Sequence, residues 1–313
     1  MEKETKKSPI KLILSSIFIL ITISILVIYW IIPSEIISFS PGPEDYNFNL
    51  NASLTEMQFS YNMRYPNKEI SYKIENCILQ KKQDMEYAFE ILEELTILEF
   101  YPVYSDQEIS ITCEEKNRFK DNLFIAGEGG PTNITLTDNF NVILNGKILL
   151  IKPSQCSKPN IAIHELLHAL GFAHYENPKN IMYPQSKCSQ EIGDDILNKI
   201  NQVYSTQSYA DLNIEDVSAS LNKNYLDINI SLRNEGLKKS EKSNLKIYLE
   251  NNLIKEIKIS KLQIGHGTQI ILSNLPVQKS NSEELKIQIS YNYNELNKSN
   301  NEFILKIKNK ELI

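Results

Sequence analysis

The chain has 313 residues, enough for two domains with appendages, and carries a formal net charge of -6 with a pI near 5.5. That balance leaves no basic footprint for a nucleic acid, so nucleic-acid binding is set aside as its task. Hydrophobic residues make up 42% of the chain, enough for real cores, although part of that content is spent in one N-terminal run.

That run, Leu12–Ile32, is LILSSIFILITISILVIYWII, 21 residues without a charge. About 20 such residues cross a hydrocarbon core of about 30 Å as a helix. Tyr29 and Trp30 stand at one end, where amphipathic rings favour the interface. Lys3, Lys6, Lys7 and Lys11 precede the run, which keeps residues 1–11 in the cytoplasm. A cleaved signal peptide has a shorter apolar core, about 7–15 residues, and an Ala-x-Ala site; this run has neither. The expectation is therefore an uncleaved transmembrane signal anchor over 12–32, with the rest of the chain extracytoplasmic and the membrane as one partner.

Residues 33–66 read as a linker, since Pro33, Pro41, Gly42, Pro43 and Pro66 interrupt any regular period. From 67 to 208 the pattern is mixed. Glu69–Ile74 alternates as a half-buried strand. Leu79–Thr96 has a helical stripe of Met85, Ala88, Phe89, Leu92 and Leu95. Leu98–Tyr104 and Glu108–Cys113 read as two more strands. Ala126–Pro131, AGEGGP, is a flexible loop by composition, with Glu128 an exposed loop carboxylate rather than a metal ligand. Asn145-Gly146 between Phe140–Leu144 and Lys147–Ile151 predicts a hairpin turn.

The densest chemistry follows in Ile161–Pro184, IAIHELLHALGFAHYENPKNIMYP. His164 and His168 are four apart and share one face of a helix, so they can grip one metal ion. Glu165 lies where a carboxylate reaches water on that metal. Gly171 can end the helix in a left-handed conformation and let the chain bring back His174 as a third ligand. Three imidazoles leave a fourth zinc position open, the catalytic rather than the structural arrangement. The chain has only 4 histidines; three lie in this motif, and the fourth, His266, sits in a Gly265-His266-Gly267 turn without neighbouring ligands.

The motif His164-Glu165-x-x-His168-x-x-Gly171-x-x-His174 with Met182-Tyr183-Pro184 resembles the metzincin zinc endopeptidases, and among them the matrixins. The resemblance implies one catalytic Zn2+ on His164, His168 and His174, Glu165 as general base, and Met182 in the Met-turn beneath the metal. It gives Pro184 a place in the wall of a substrate pocket whose next expected tyrosine is here Ser186. Tyr183 reads as a turn residue, not a fifth ligand. In metzincins the strand edging the cleft pairs with extended substrate, a role the resemblance places within Ile134–Leu144. The Pro-Arg-Cys-Gly latency switch of many matrixins is absent.

Glu191–Tyr204 has a helical period in Ile192, Ile196, Ile200 and Val203, with Asp194 and Asp195 placed to complement the positive helix end. From 212 to 313 the period changes to two. Leu226–Leu232, Leu245–Leu249, Leu285–Ile289 and Phe303–Ile307, the last with Ile304 as an apolar exception, belong to about seven such segments and predict a β-sandwich. Asn234-Glu235-Gly236 resembles the cell-adhesion-related, immunoglobulin-like modules of prokaryotic exported proteins, which implies a surface partner for this domain. Cys77, Cys113, Cys156 and Cys188 allow three pairings. Cys156–Cys188 would clamp the active helix to the segment after the Met-turn, with Cys77–Cys113 as the second bridge. Four sequons, at Asn51, Asn133, Asn229 and Asn297, are compatible with export.

The fold expected is thus α+β: a metzincin catalytic domain with a twisted mixed sheet and an active-site helix, then an all-β immunoglobulin-like sandwich, behind one transmembrane helix. The function expected is a membrane-anchored zinc endopeptidase acting on peptide or protein substrates. Two alternatives stay open: a catalytically silent metzincin-fold adhesion or scaffold protein, and a zinc hydrolase acting on another bond.

Overall fold

The computed structural model describes residues 17–24, 35–39, 44–45, 57–116, 118–120, 123–222, 224–277 and 284–307. Residues 17–24 are helical; most of the expected 12–32 anchor lies outside the described residues. Among those described, no helix is long and apolar enough to cross a membrane.

The first domain is built on a seven-stranded sheet. Its strands are β2 (Glu44–Asp45), β3 (Met63–Arg64), β4 (Glu69–Glu75), β5 (Glu99–Pro102), β6 (Ile109–Cys113), β9 (Gly127–Leu136) and β10 (Asn141–Leu150). The order is β2-β9-β10-β6-β4-β5, with β3 beside the first residues of β10. β10, β6, β4 and β5 are parallel, whereas β9 and β2 run antiparallel at one edge. A two-stranded ribbon, β7 (Arg118–Lys120) and β8 (Leu123–Ile125), precedes β9. Helices α1 (Leu79–Leu95), α2 (Asn160–Ala169) and α3 (Asp194–Tyr204) complete the domain. Met85, Ala88, Phe89 and Leu92 of α1 join Ile109, Ile111, Ile148, Leu166, Leu167, Ile196 and Ile200 in one core. Leu95, assigned to that stripe from its period, is instead exposed in the last turn. Disulfides Cys77–Cys113 and Cys156–Cys188 tie the entry of α1 to the end of β6 and the entry of α2 to the loop before α3.

Two local signals are overridden. Asn145-Gly146 makes no hairpin; it lies inside β10, at register shifts against β9. A Cβ on Gly146 would overlap the Tyr65 hydroxyl, which donates to the Ala169 carbonyl at 3.1 Å, so this glycine makes room rather than turns the chain. The AGEGGP stretch is no loop either, since Gly127–Pro131 opens β9.

The second domain packs two four-stranded sheets. One has the order β1-β15-β12-β11, from Glu35–Phe39, Gly267–Pro276, Tyr225–Asn234 and Leu212–Asn222. The other has β14-β13-β16-β17, from Asn252–Ile259, Ser243–Leu249, Glu284–Ser290 and Glu302–Lys306. Alternation puts Leu226, Ile228, Ile230 and Leu232 of β12 opposite Leu245, Ile247, Leu285 and Ile287 in a shared core. β17 leaves Ile304 in solvent. The expected linker is therefore not irregular throughout. β1 adds an edge strand to the sandwich, and β2 adds one to the sheet of the first domain.

The two domains touch. Phe140 and Val142 of the first bury against Leu237 and Ile264 of the second. Asn234 is the hub of that end of the sandwich: its Oδ1 accepts from the N–H groups of Asp211 and Gly236, and its Nδ2 donates to Lys238, Leu262 and Gln263 carbonyls. Glu235, beside it, accepts from the Asp138 N–H at 2.8 Å across the junction. Gly236 lets the 209–211 backbone approach where a Cβ would collide. Arg233 pairs with Glu235 at 3.2 Å and donates to the Leu136 carbonyl at 3.2 Å.

Candidate metal centre and active site

Helix α2 is apolar nearly all round and buried, so it runs under the sheet rather than over its surface. His164 and His168 lie one turn apart on it. The helix ends at Gly171, whose φ of +93° suits glycine alone. A Cβ there would also meet Met63 at 2.8 Å, so close packing excludes a side chain a second time. Past this glycine the chain reverses and is pinned twice. Phe59 donates to Gly171 O and Ala173 donates to Met57 O, each within 3.0 Å. Tyr175 then donates to Met182 O at 2.9 Å, and His174 comes to face the other two rings.

The imidazole Nε2 atoms of His164 and His174 are 3.3 Å apart, and those of His168 and His174 are 3.1 Å apart. Zinc–nitrogen bonds of about 2.0–2.1 Å set tetrahedral ligand nitrogens about 3.3 Å apart, so this donor set fits zinc. The remaining ring nitrogens are committed elsewhere. His164 Nδ1 lies 2.7 Å from the Ile181 carbonyl, and His168 Nδ1 lies 2.8 Å from that of Phe172. Protons held on those Nδ1 atoms leave each Nε2 lone pair aimed at the common centre. Burial pushes the His164 imidazole down to about 4; the Ile181 contact opposes this and nearby His174 adds to it. Burial lowers His168 well below the usual range, helped by the other two rings, and it also lowers His174. All three are thus neutral, as ligation requires. His174 is the exposed member and leaves one side open to solvent. Among the described residues this is the one group of three or more metal-competent side chains.

Glu165 is buried, and that burial lifts its carboxyl to about 8, with the Glu128 carboxylate adding to the shift. A cation at the imidazole trio would pull it down again. Strand β9 crosses directly over it. A Cβ on Gly127 would lie 2.7 Å from Glu165 Cγ and 2.9 Å from Oε1, and one on Gly129 would overlap the Glu165 carbonyl. The part of β9 nearest Glu165 is therefore Gly127–Gly130; the Ile134–Leu144 stretch, to which the resemblance gives the substrate-pairing role, holds the end of β9 and the start of β10. Glu128, between the two glycines, pairs with Arg118 at 3.1 Å, and Arg118 also grips Glu114 through both oxygens.

Met182 is fully buried, and its N–H donates to Asn180 Oδ1. The turn holding it also supplies the carbonyls that meet His164 and Tyr175. Tyr183 is half-buried and Pro184 exposed. The loop from Pro184 to Cys188 is braced by buried Gln190, which donates to Pro178 O and Gln185 O and accepts from the Lys187 N–H. Asn160 donates to Lys187 O, and the Cys156–Cys188 bridge closes the same loop. Asp194 and Asp195 occupy the first turn of α3, far in role from the imidazoles. His266 stays a turn residue.

Sequence reasoning missed Gly127, Gly129, Gln190 and Phe59, whose ring stacks on His168 with centroids 5.7 Å apart. The glycines had a legible signal: spaced two apart, they strip one face of a strand.

Residues 64–205 match the matrixin family model, and residues 209–305 match that of CARDB. The chain thus carries a matrixin domain followed by a β-rich CARDB domain. No match was found among curated proteins. The CARDB domain of a Pyrococcus furiosus protein, solved in complex with di-metal ions, is 16% identical over 32% of this chain and 90% of its own, with a TM-score of 0.28. A cell surface protein domain from Methanosarcina acetivorans is 19% identical over 33% and 94%, with a TM-score of 0.30. High choriolytic enzyme 1, a hatching-enzyme zinc protease of Oryzias latipes, is 20% identical over 35% and 46%, with a TM-score of 0.24.

Proposed function

We propose that this protein is a zinc-dependent endopeptidase, anchored in the membrane by residues 12–32 with its N-terminus cytoplasmic and its catalytic domain outside. The observation that carries the reading is the convergence of three imidazoles, with His174 Nε2 at tetrahedral spacing from those of His164 and His168, beside a buried glutamate. His164, His168 and His174 would hold the ion, the first two oriented by carbonyls at Nδ1 and the third by the Tyr175 bond to Met182 O. When bound there, zinc would supply an acidified water and polarisation of the peptide carbonyl. Glu165 would accept a proton from the attacking water on its carboxylate and return it to the leaving amine. The strand over Glu165 excludes bulk water from one side, and its outer edge ahead of the β2 pairing at Asn133 and Ile134 is where an extended peptide would add, through backbone hydrogen bonds that depend little on sequence. The loop running from Pro184 to Cys188 forms the wall of the side-chain pocket, held rigid by Gln190 and the disulfide. The sandwich serves a surface partner.

The test compares purified wild type with Glu165→Gln for zinc content and for cleavage of an unfolded protein. Both should bind one zinc, and the variant should lose at least about 100-fold in kcat. Zinc-loaded wild type that cuts no polypeptide would favour the silent adhesion or scaffold reading instead.

A further inference from the structure

We infer that the substrates are polypeptides fixed to the same membrane as the enzyme, cut within about 70 Å of the bilayer as a contour-length limit. This rests on the anchored-peptidase reading above.

The argument begins with β1. Only Pro33 and Ser34 separate the end of the apolar run at Ile32 from Glu35, where β1 begins. Three residue steps span at most about 11 Å. β1 is tied along its length, pairing antiparallel from Glu35↔Ile271 to Phe39↔Gly267. Gly267 admits the Phe39 ring where a Cβ would overlap it. An anchor leaving the bilayer is therefore followed almost at once by a strand built into the sandwich.

The opposite end of the same strands meets the peptidase domain. Gly267 pairs with Arg233, and Arg233 donates to Leu136, the last residue of β9. The apolar contact of Phe140 and Val142 with Leu237 and Ile264 lies at this same end. β1 adds about 14 Å, two strand spacings about 10 Å and the arginine side chain about 7 Å. β9 then runs back about 30 Å from Leu136 to Gly127, which touches Glu165. Summed as an upper limit, the base lies within about 70 Å of the membrane. The sandwich acts as a spacer between bilayer and cleft. Substrates held at that height by their own anchors meet the site at an effective concentration near millimolar, while soluble chains do not.

The test uses the full chain in lipid vesicles with one cleavable segment presented three ways. It is soluble, or tethered near the bilayer by a helical spacer of about 20 residues, or tethered far from it by one of about 100 residues, at about 1.5 Å per residue. The near substrate should be cut at least about tenfold faster than the far one. A flexible Gly/Ser insertion of about 40 residues between Pro33 and Ser34 lengthens the reach without touching β1. It should lower that ratio severalfold and leave the soluble rate unchanged. Equal near and far rates, with the soluble segment also cut, would overturn the height restriction while the peptidase reading stands. A chain that cuts soluble peptide but does not float with vesicles overturns it as well. Zinc-loaded protein that cuts none of the three sinks both readings.

Discussion

Replacing Gly127 by alanine isolates the contact between the cleft-edge strand and the base. The added methyl carbon would sit 2.7 Å from Cγ and 2.9 Å from Oε1 of Glu165. Comfortable contact needs about 3.5–4.0 Å, so the strand and the carboxylate must part by about 1 Å. Glu165 is held on a buried helix, so part of that shift falls on its flexible side chain. A displacement of about 1 Å at a reacting group costs about 100-fold in rate. The expectation is a fall in kcat of about that size, with one zinc per chain retained because no histidine is touched. Overpacking should also cost about 1–3 kcal/mol of stability. Kinetics on a quenched peptide, elemental analysis and urea denaturation give the three readings. Glu165→Asp withdraws the carboxylate by one methylene, so the double variant should lose less than the product of the single losses. Gly127→Ala with kcat within threefold of wild type would show that β9 does not constrain the base.

Three further outcomes follow from other parts of the molecule. The three imidazoles ordinarily titrate near 6.5, but burial lowers them, His164 to about 4, so the neutral form persists below the usual value. Zinc should accordingly remain bound at pH 5.5, and elemental analysis after dialysis that finds half of it lost by pH 6.5 would contradict this. Arg64 is buried and donates to the carbonyls of Tyr65, Pro66, Val203 and Thr206. Arg64→Ala strands those acceptors and should cost about 3 kcal/mol or more in urea denaturation, and Arg64→Lys should recover little because an ammonium lacks the planar fork. Opening Cys156–Cys188 by double serine substitution frees a closed loop of 32 residues in sequence separation. The chain-entropy relation puts the loss at about 3.7 kcal/mol, read as a shift in denaturation midpoint, and the loop after Pro184 should become protease-sensitive.

How much could be read in advance depended on distance along the chain. The three histidines fall within eleven residues of one helix and one turn, so helical spacing aligns His164 with His168 and the glycine turn signals the return of His174, although the contacts that pin that return are remote. The same locality made α1 and the alternating strands of the sandwich legible, down to the outward Ile304. Failure came where a remote partner decides. Gly146 looked like a turn because its local sequence matches one, but its absent side chain answers to Tyr65. Gly127 and Gly129 looked like a loop because nothing nearby reveals the helix that passes beneath them. Glu35–Phe39 gave no strand signal between its prolines, since its partner is β15 at the other end of the chain. Leu95 fits the period of α1, but packing stops one turn earlier, at Leu92.

That union of the first described strand with a late one has a consequence for biogenesis. Glu35–Phe39 leaves the ribosome about 230 residues before the segment it will pair with, which at about 5–20 residues per second is a wait of about 10–50 s. The matrixin domain, whose sequence ends well before β15, is synthesised and can collapse during that interval. Closure of the whole molecule is thus a late event that follows synthesis of the first domain. Any variant that slows completion of the C-terminal sheet should leave a newborn chain with an assembled matrixin domain and a dangling, aggregation-prone stem.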